Sequence, residues 1–155
     1  MPRIAIADSF LDSLANLDPS DAKRVALFLD KLVRAPEASS LRPEIVHDAA
    51  DRSVRSFKVT HDLRAITRVA SEGLTLLFVA RHDRAYAWAR NRCIDCHSDA
   101  DDLVLRPVDE VESGMAQSAR ALRVAVCSTT GDLCRLLSAR GIDHGLTDGL
   151  SAHGA

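Results

Sequence analysis

The 155-residue sequence predicts an α+β fold: an N-terminal strand, a two-helix hairpin packed on an antiparallel sheet, a short C-terminal helix and an extra hairpin. Two periodicities predict it. Between Phe10 and Val33, apolar residues recur every three or four positions, the spacing of one side of a helix. Between Ser56 and Arg81 they recur every second position in three successive runs, the spacing of one face of a sheet.

The elements follow in order. "RIAIA" (3–7) is a β-capable run, and Asp8 is placed to cap a helix carrying Phe10, Leu14 and Leu17. "DPS" interrupts it and restarts a second helix, with Asp18 as cap and Pro19 at the first helical position. That helix runs to about Arg34 and carries the stripe Ala22, Val25, Leu29, Leu32. The Pro- and Ser-bearing "APEASSLRPE" reads as a loop. In "SFKVT", "LRAITRVA" and "LTLLFVAR", Phe57, Leu63, Ala65, Leu74, Leu76 and Phe78 share an apolar face. Lys58, Arg64, Arg68 and Arg81 lie on the opposite, mixed face, together with Ile66, Leu77 and Val79. Arg55 falls on the apolar side by parity and must reach out at an edge or beside a bulge. The short links "THDL" and "SEG" make the three strands a meander. Asp83 is placed to cap a short helix over "RAYAWAR", and "CIDCH" and "LVLRPV" flank a polar turn as a hairpin. "DEVESGMAQSA" reads as a linker, and "TTGDLCRLLSARG" as a small helix ended by Gly141. The expected organisation is one domain over 1–110 and a linker with a small helical or partly disordered tail over 111–155.

The net charge of −2 hides a division. Residues 52–92 hold nine basic and three acidic side chains, whereas residues 93–155 hold five and ten. The basic concentration marks either an anion-binding surface or arginines that keep a sheet face solvated. The N-terminus meets Asp8 and Asp12 before any long apolar run, unlike a signal peptide, and no stretch approaches membrane-spanning length. The expected compartment is the cytoplasm, with the four cysteines reduced.

Cys93-Ile94-Asp95-Cys96-His97 fits the pattern of covalent haem attachment. On a strand, however, residues three apart face opposite sides, so one haem or one metal would not meet both thiols. Zinc would also need a fourth ligand, and Cys127 and Cys134 have no matching spacing. The expectation is no haem, no metal and no other cofactor.

The runs "FLDSLANLDPSDAKRVALFLDKL", "RSFKVTHDLRAITRV" and "LTLLFVARHDRAYAWARNR" resemble the RelE/ParE toxin superfamily. More narrowly, His82, Asp83, Ala85, Tyr86, Trp88 and Ala89 resemble the RelE-like domain at the N-terminus of UvrD-type helicase proteins. The resemblance covers about residues 3–110. It implies a nucleic-acid-binding domain, RNA or DNA, whose basic residues Lys58, Arg64, Arg68, Arg81 and Arg84 contact phosphates. The alternative it implies is a ribosome-dependent mRNA endoribonuclease of a toxin–antitoxin pair. In that case Arg81 would stabilise the transition state and Tyr86 or His82 would move the proton of a metal-independent 2′-OH attack. A third class is a ParE-like protein-interaction module, with Ile66, Leu77 and Val79 as an exposed contact. An antitoxin, the ribosome or a helicase region are the corresponding partners. Each residue has a plainer reading: Trp88 and Tyr86 as core, His82 as a hydrogen-bonding joint, Asp83 as a cap. The sequence departs from stand-alone toxins by its acidic extension, and from the helicase proteins by containing no phosphate-binding G-x-x-x-x-G-K-[ST] loop.

Overall fold

The computed structural model describes residues 3–36, 42–96, 103–107 and 120–146. Its elements are β1 (Arg3–Ala7), α1 (Asp8–Ala15), α2 (Pro19–Arg34), β2 (Glu44–Ile45), β3 (Val54–Lys58), β4 (Leu63–Ala70), β5 (Gly73–Arg81) and α3 (His82–Arg90). They continue with β6 (Arg92–Cys96), β7 (Leu103–Pro107), β8 (Arg120–Leu122), β9 (Val124–Val126) and α4 (Thr130–Ala139). The fold is mixed α+β: a sheet in the order β2-β3-β4-β5-β1-β9 and a smaller sheet β6-β7-β8. β1 lies parallel to β5 and antiparallel to β9, while the meander β3-β4-β5 is antiparallel throughout.

One face of the large sheet receives the helix pair. Phe10, Leu14, Val25, Leu29 and Leu32 pack on Ile6, Phe57, Leu63, Ala65 and Leu76, and the Phe28 and Phe57 rings meet at 5.4 Å. Removing a side chain of this size from water contributes about 1.5–3 kcal/mol. Residues 120–146, expected as tail, add to this layer: β9 extends the sheet beside β1, and Cys127, Leu133, Leu137 and Ile142 join the helix-pair core. Thr129 and Asp132 form a reciprocal capping box at the start of α4, and Gly141 follows its end at φ +71°.

The other face differs from its expected form. It is a second interior, in which Val54, Ile66, Leu77 and Ala80 are covered by Ala85 and Ala89 of α3 and by Ile94, Leu103, Leu105 and Leu122 of the small sheet. Ile66 and Leu77 are fully buried, so they form no exposed contact for a partner. Val79 belongs to the helix-pair core instead. Alternation along the meander could not show this, because the covering elements come later in the chain, and two alanines one turn apart let α3 lie close to the strands.

The parity of β5 also breaks. Ile66 pairs with Phe78 but Thr67 pairs with Leu76, so Leu77 is an extra residue. Beyond this bulge Val79 joins the face of Leu76, whereas Phe78 and Ala80 turn to the α3 side. Beside it, β1 ends and the chain turns into α1. Ser9 Oγ donates to the Leu77 carbonyl at 2.6 Å, and Ser13 Oγ accepts from the Val79 N–H at 2.9 Å. Two serines one helical turn apart thus complete the strand edge that β1 leaves.

Two expected caps are corrected. α1 begins at Asp8 itself after Ala7, and α3 begins at His82 after Arg81, so Asp8 and Asp83 are first-turn residues that favour the helix dipole rather than caps. Asp18 does precede Pro19, although its side chain makes no capping bond. Arg55 curls back, its Nη1 donating to the carbonyls of Arg52 and Val54. Among the described residues, no helix is long and apolar enough to cross a membrane.

Ser13→Ala leaves the buried Val79 N–H without an acceptor and should cost about 1–3 kcal/mol in a denaturant melt. Gly73→Ala should cost a comparable amount, about 1–3 kcal/mol, by overpacking. Gly73 sits at φ +148° opposite Arg3, and a Cβ there would lie 2.0 Å from the Arg3 carbonyl oxygen.

Candidate functional site

α3 sorts the chemistry-bearing residues by helical position. Ala85 and Ala89 face the sheet, Arg84 and Trp88 flank one side, and Tyr86 and Arg90 flank the other. The two flanks line different cavities.

The first is a cleft of about 390 Å³ between α1 on one side and α3 with the small sheet on the other. Its floor is Phe78, Val79 and Ala80, the part of β5 just past the bulge. The α3 wall carries Arg84, Trp88 and Arg92. Trp88 stacks on Phe78 with centroids 4.9 Å apart and planes within 7°, and the Arg92 guanidinium lies 5.3 Å from the Trp88 ring centroid. Burial lowers the Arg92 pKa and, among the described residues, no carboxylate offsets that desolvation, so the cation sits desolvated against the ring stack. The α1 wall presents Ser9, Asp12, Ser13 and Asn16, a stripe at helical spacing.

Asp12 belongs to an ion cluster that ties three elements together. Its Oδ2 accepts from Arg120 of β8 at 2.8 Å, and its Oδ1 accepts from Arg140 at the end of α4. Arg120 also lies 3.4 Å from Asp8 Oδ2. The Arg120 hydrogen bond, aided by the charge of Arg140, holds the Asp12 carboxyl below its ordinary pKa against a smaller opposing effect of burial. Of the three cleft arginines, Arg120 is therefore neutralised locally, while Arg84 and Arg92 meet no carboxylate among the described residues.

The second cavity, about 660 Å³, lies between Tyr86 and Arg90 and the segment Glu44–Asp48 with His47. His82 packs its ring 4.2 Å from that of Tyr86, and its Nδ1 is 3.1 Å from Asp83 Oδ1. His82 and Tyr86 are thus in contact, on the flank of α3 away from Arg84.

The arginines read from the meander do not gather into one patch. Lys58 and Arg64 are directly opposite at one end of β3 and β4. Arg68 is four residues further along, roughly 13 Å at strand rise, with the buried Ile66 between. Arg81 pairs with Leu63, on the helix-pair side of the sheet. Arg64 is engaged in its own turn, Nη1 donating to the carbonyls of Thr60, His61 and Leu63 at 2.9–3.1 Å. Arg84 alone of the predicted residues lines the cleft. Sequence reasoning missed Arg92, Asp12 and Arg120, although the position of Arg92 four residues after Trp88 was an available signal.

Cys93 and Cys96 stand opposite Arg106 and Leu103 in the uninterrupted strand β6, without the turn a Cys-x-x-Cys knuckle requires. His97 lies outside the described residues. Cys127 is buried, and desolvation pushes its thiol up to about 11.

No protein-family model, curated protein or solved structure matches the chain.

Because folded Asp12 titrates below the free-carboxyl value near 3.9, its contribution is complete above that pH. It is lost as pH falls through the lower folded value. Asp12→Asn should therefore unfold with a shallower loss of Tm between about pH 4 and pH 2 than the parent, read by thermal melts across that range.

Proposed function

We propose that this chain is a nucleic-acid-binding domain of RelE-like architecture, of the helicase-associated type, with no motor activity of its own. The architectural reading draws support from a first strand, a helix pair on one face of an antiparallel meander, and α3 directly after the last meander strand. It departs from that plan in β9, which extends the sheet beyond β1, and in the small sheet, which with α3 covers what would otherwise be the open face.

The observation that carries the functional reading is the pairing of Arg84 and Arg92 with the Trp88–Phe78 stack in one cleft. Phosphate needs permanently charged, multidentate donors, and an unpaired base needs a flat apolar surface beside them. An anion beside Arg92 would also restore the solvation that burial has removed from it. The phosphate contacts accordingly move from the meander face to α3 and the start of β6, with exposed Lys58 and Arg81 as peripheral charge.

A second reading, metal-independent cleavage of RNA, is favoured by the His82–Tyr86 contact beside Arg90. It demands that acid–base and phosphate-holding groups meet at one phosphodiester, which the Tyr86 flank could supply only with Arg90. Loss of cleavage of labelled RNA in His82→Ala and Tyr86→Phe, in the presence of chelator, is its test.

Fluorescence anisotropy with a labelled oligonucleotide tests the main reading. Arg84→Ala and Arg92→Ala should each weaken binding by about tenfold or more, the size of a lost charge-assisted hydrogen bond. On single strands each should also reduce the steepness of log affinity against log salt by about 0.7. Equal affinity of parent and double variant at low salt would remove the cleft from the reading.

A further inference from the structure

The cleft is small, and its two walls are chemically unlike. At about 390 Å³ it lies near the lower end of the roughly 300–1,000 Å³ that small-ligand sites occupy. A duplex cannot enter a space of that size, whereas one nucleotide fills it. On the α1 wall the hydroxyls of Ser9 and Ser13 are already engaged with β5, so Asp12 and Asn16 are the groups left with bonding capacity. Asp12 is held ionised by Arg120 and Arg140, and an ionised carboxylate only accepts. Whatever touches Asp12 must bring N–H or O–H donors, whereas the amide of Asn16 can donate or accept. Whatever touches the opposite wall must bring negative charge for Arg84 and Arg92 and a planar group for Trp88.

Those demands select among ligands. Inorganic phosphate satisfies the arginines but leaves the ring stack unused. A neutral aromatic compound leaves Arg92 desolvated without a counter-charge. A phosphate, a sugar carrying hydroxyls and a flat base with ring or exocyclic N–H groups meet all three at once. Additional phosphates gain little, because the third cleft arginine, Arg120, is already neutralised by Asp8 and Asp12.

We infer that the unit recognised in this cleft is a single nucleotide, so that a free nucleoside monophosphate is a sufficient ligand. The inference rests on the reading of the cleft as a phosphate-and-base site and narrows it from a polymer surface to one residue of the polymer.

Trp88 is the only tryptophan in the sequence, so intrinsic fluorescence reports this cleft specifically. The experiment titrates the full chain with the four common nucleoside monophosphates, with inorganic phosphate, and with a labelled single-stranded oligonucleotide. At least one monophosphate should quench Trp88 saturably and displace the oligonucleotide, while inorganic phosphate at equal concentration does neither. Asn16→Ala and Arg84→Ala, both at exposed positions, should weaken the monophosphate several-fold with unchanged thermal unfolding. If the oligonucleotide binds but millimolar monophosphate neither quenches Trp88 nor displaces it, the single-nucleotide inference falls and nucleic-acid binding stands. If monophosphates bind and the oligonucleotide does not, the site stands and the polymer reading falls. Binding of neither overturns both.

Discussion

The structure depends on how β5 keeps its edge satisfied after β1 leaves it. A strand whose neighbour stops early exposes backbone groups that must find partners or water. Here Ser9 and Ser13 supply those partners from α1, which fixes the helix against the strand at two points one turn apart. The bulge falls on Leu77, the first of the two bonded residues. It sends Leu77 and Phe78 toward α3 and returns Val79 to the helix-pair core, so one local irregularity feeds both interiors. The cleft floor exists because of the same irregularity, since regular alternation would have aimed Phe78 into the helix-pair core and away from Trp88.

That dependence explains why the fold was more legible than the site. Helical spacing in 10–33 and alternation in 56–81 report what a residue's own element does, and those elements formed where the sequence placed them. The hairpin around "CIDCH" and "LVLRPV" was legible for the same reason, its strands β6 and β7 pairing in antiparallel register. What the far side of the sheet meets depends on segments as distant as Leu122, and no local pattern carries that information. Ile66 and Leu77 looked exposed because their strand neighbours include Arg64 and Arg68, yet they are interior.

The arginines show a related limit. Lys58, Arg64, Arg68 and Arg81 were grouped by sequence parity, but charge on a sheet is shared only if the side chains are also level along the strands and free of other duties. Arg64 holds its own turn, and Arg81 changed sides with the bulge. Arg84 was legible because a helix position is set by its neighbours alone. Arg92 and Arg120 enter the cleft from the small sheet, whose position no local pattern specifies. The tail reads as an appendage for want of a core of its own, but its residues Leu133 and Leu137 finish a core begun by Phe10 and Leu29.

The position of β1 carries a consequence for how the molecule comes to be folded. It lies between β5 and β9, pairing Ile6 with Leu76 on one side and with Ala125 on the other. β1 therefore has both of its ladder partners some 70 and 119 residues downstream. Loop closure over such spans must precede any reward from pairing, which slows the search relative to a hairpin or helix bundle of equal size. The meander β3-β4-β5 can form first from near neighbours. β1 can complete its place in the sheet only once β9 has been made, so a nascent chain passes through an interval in which this strand lacks at least one of its neighbours.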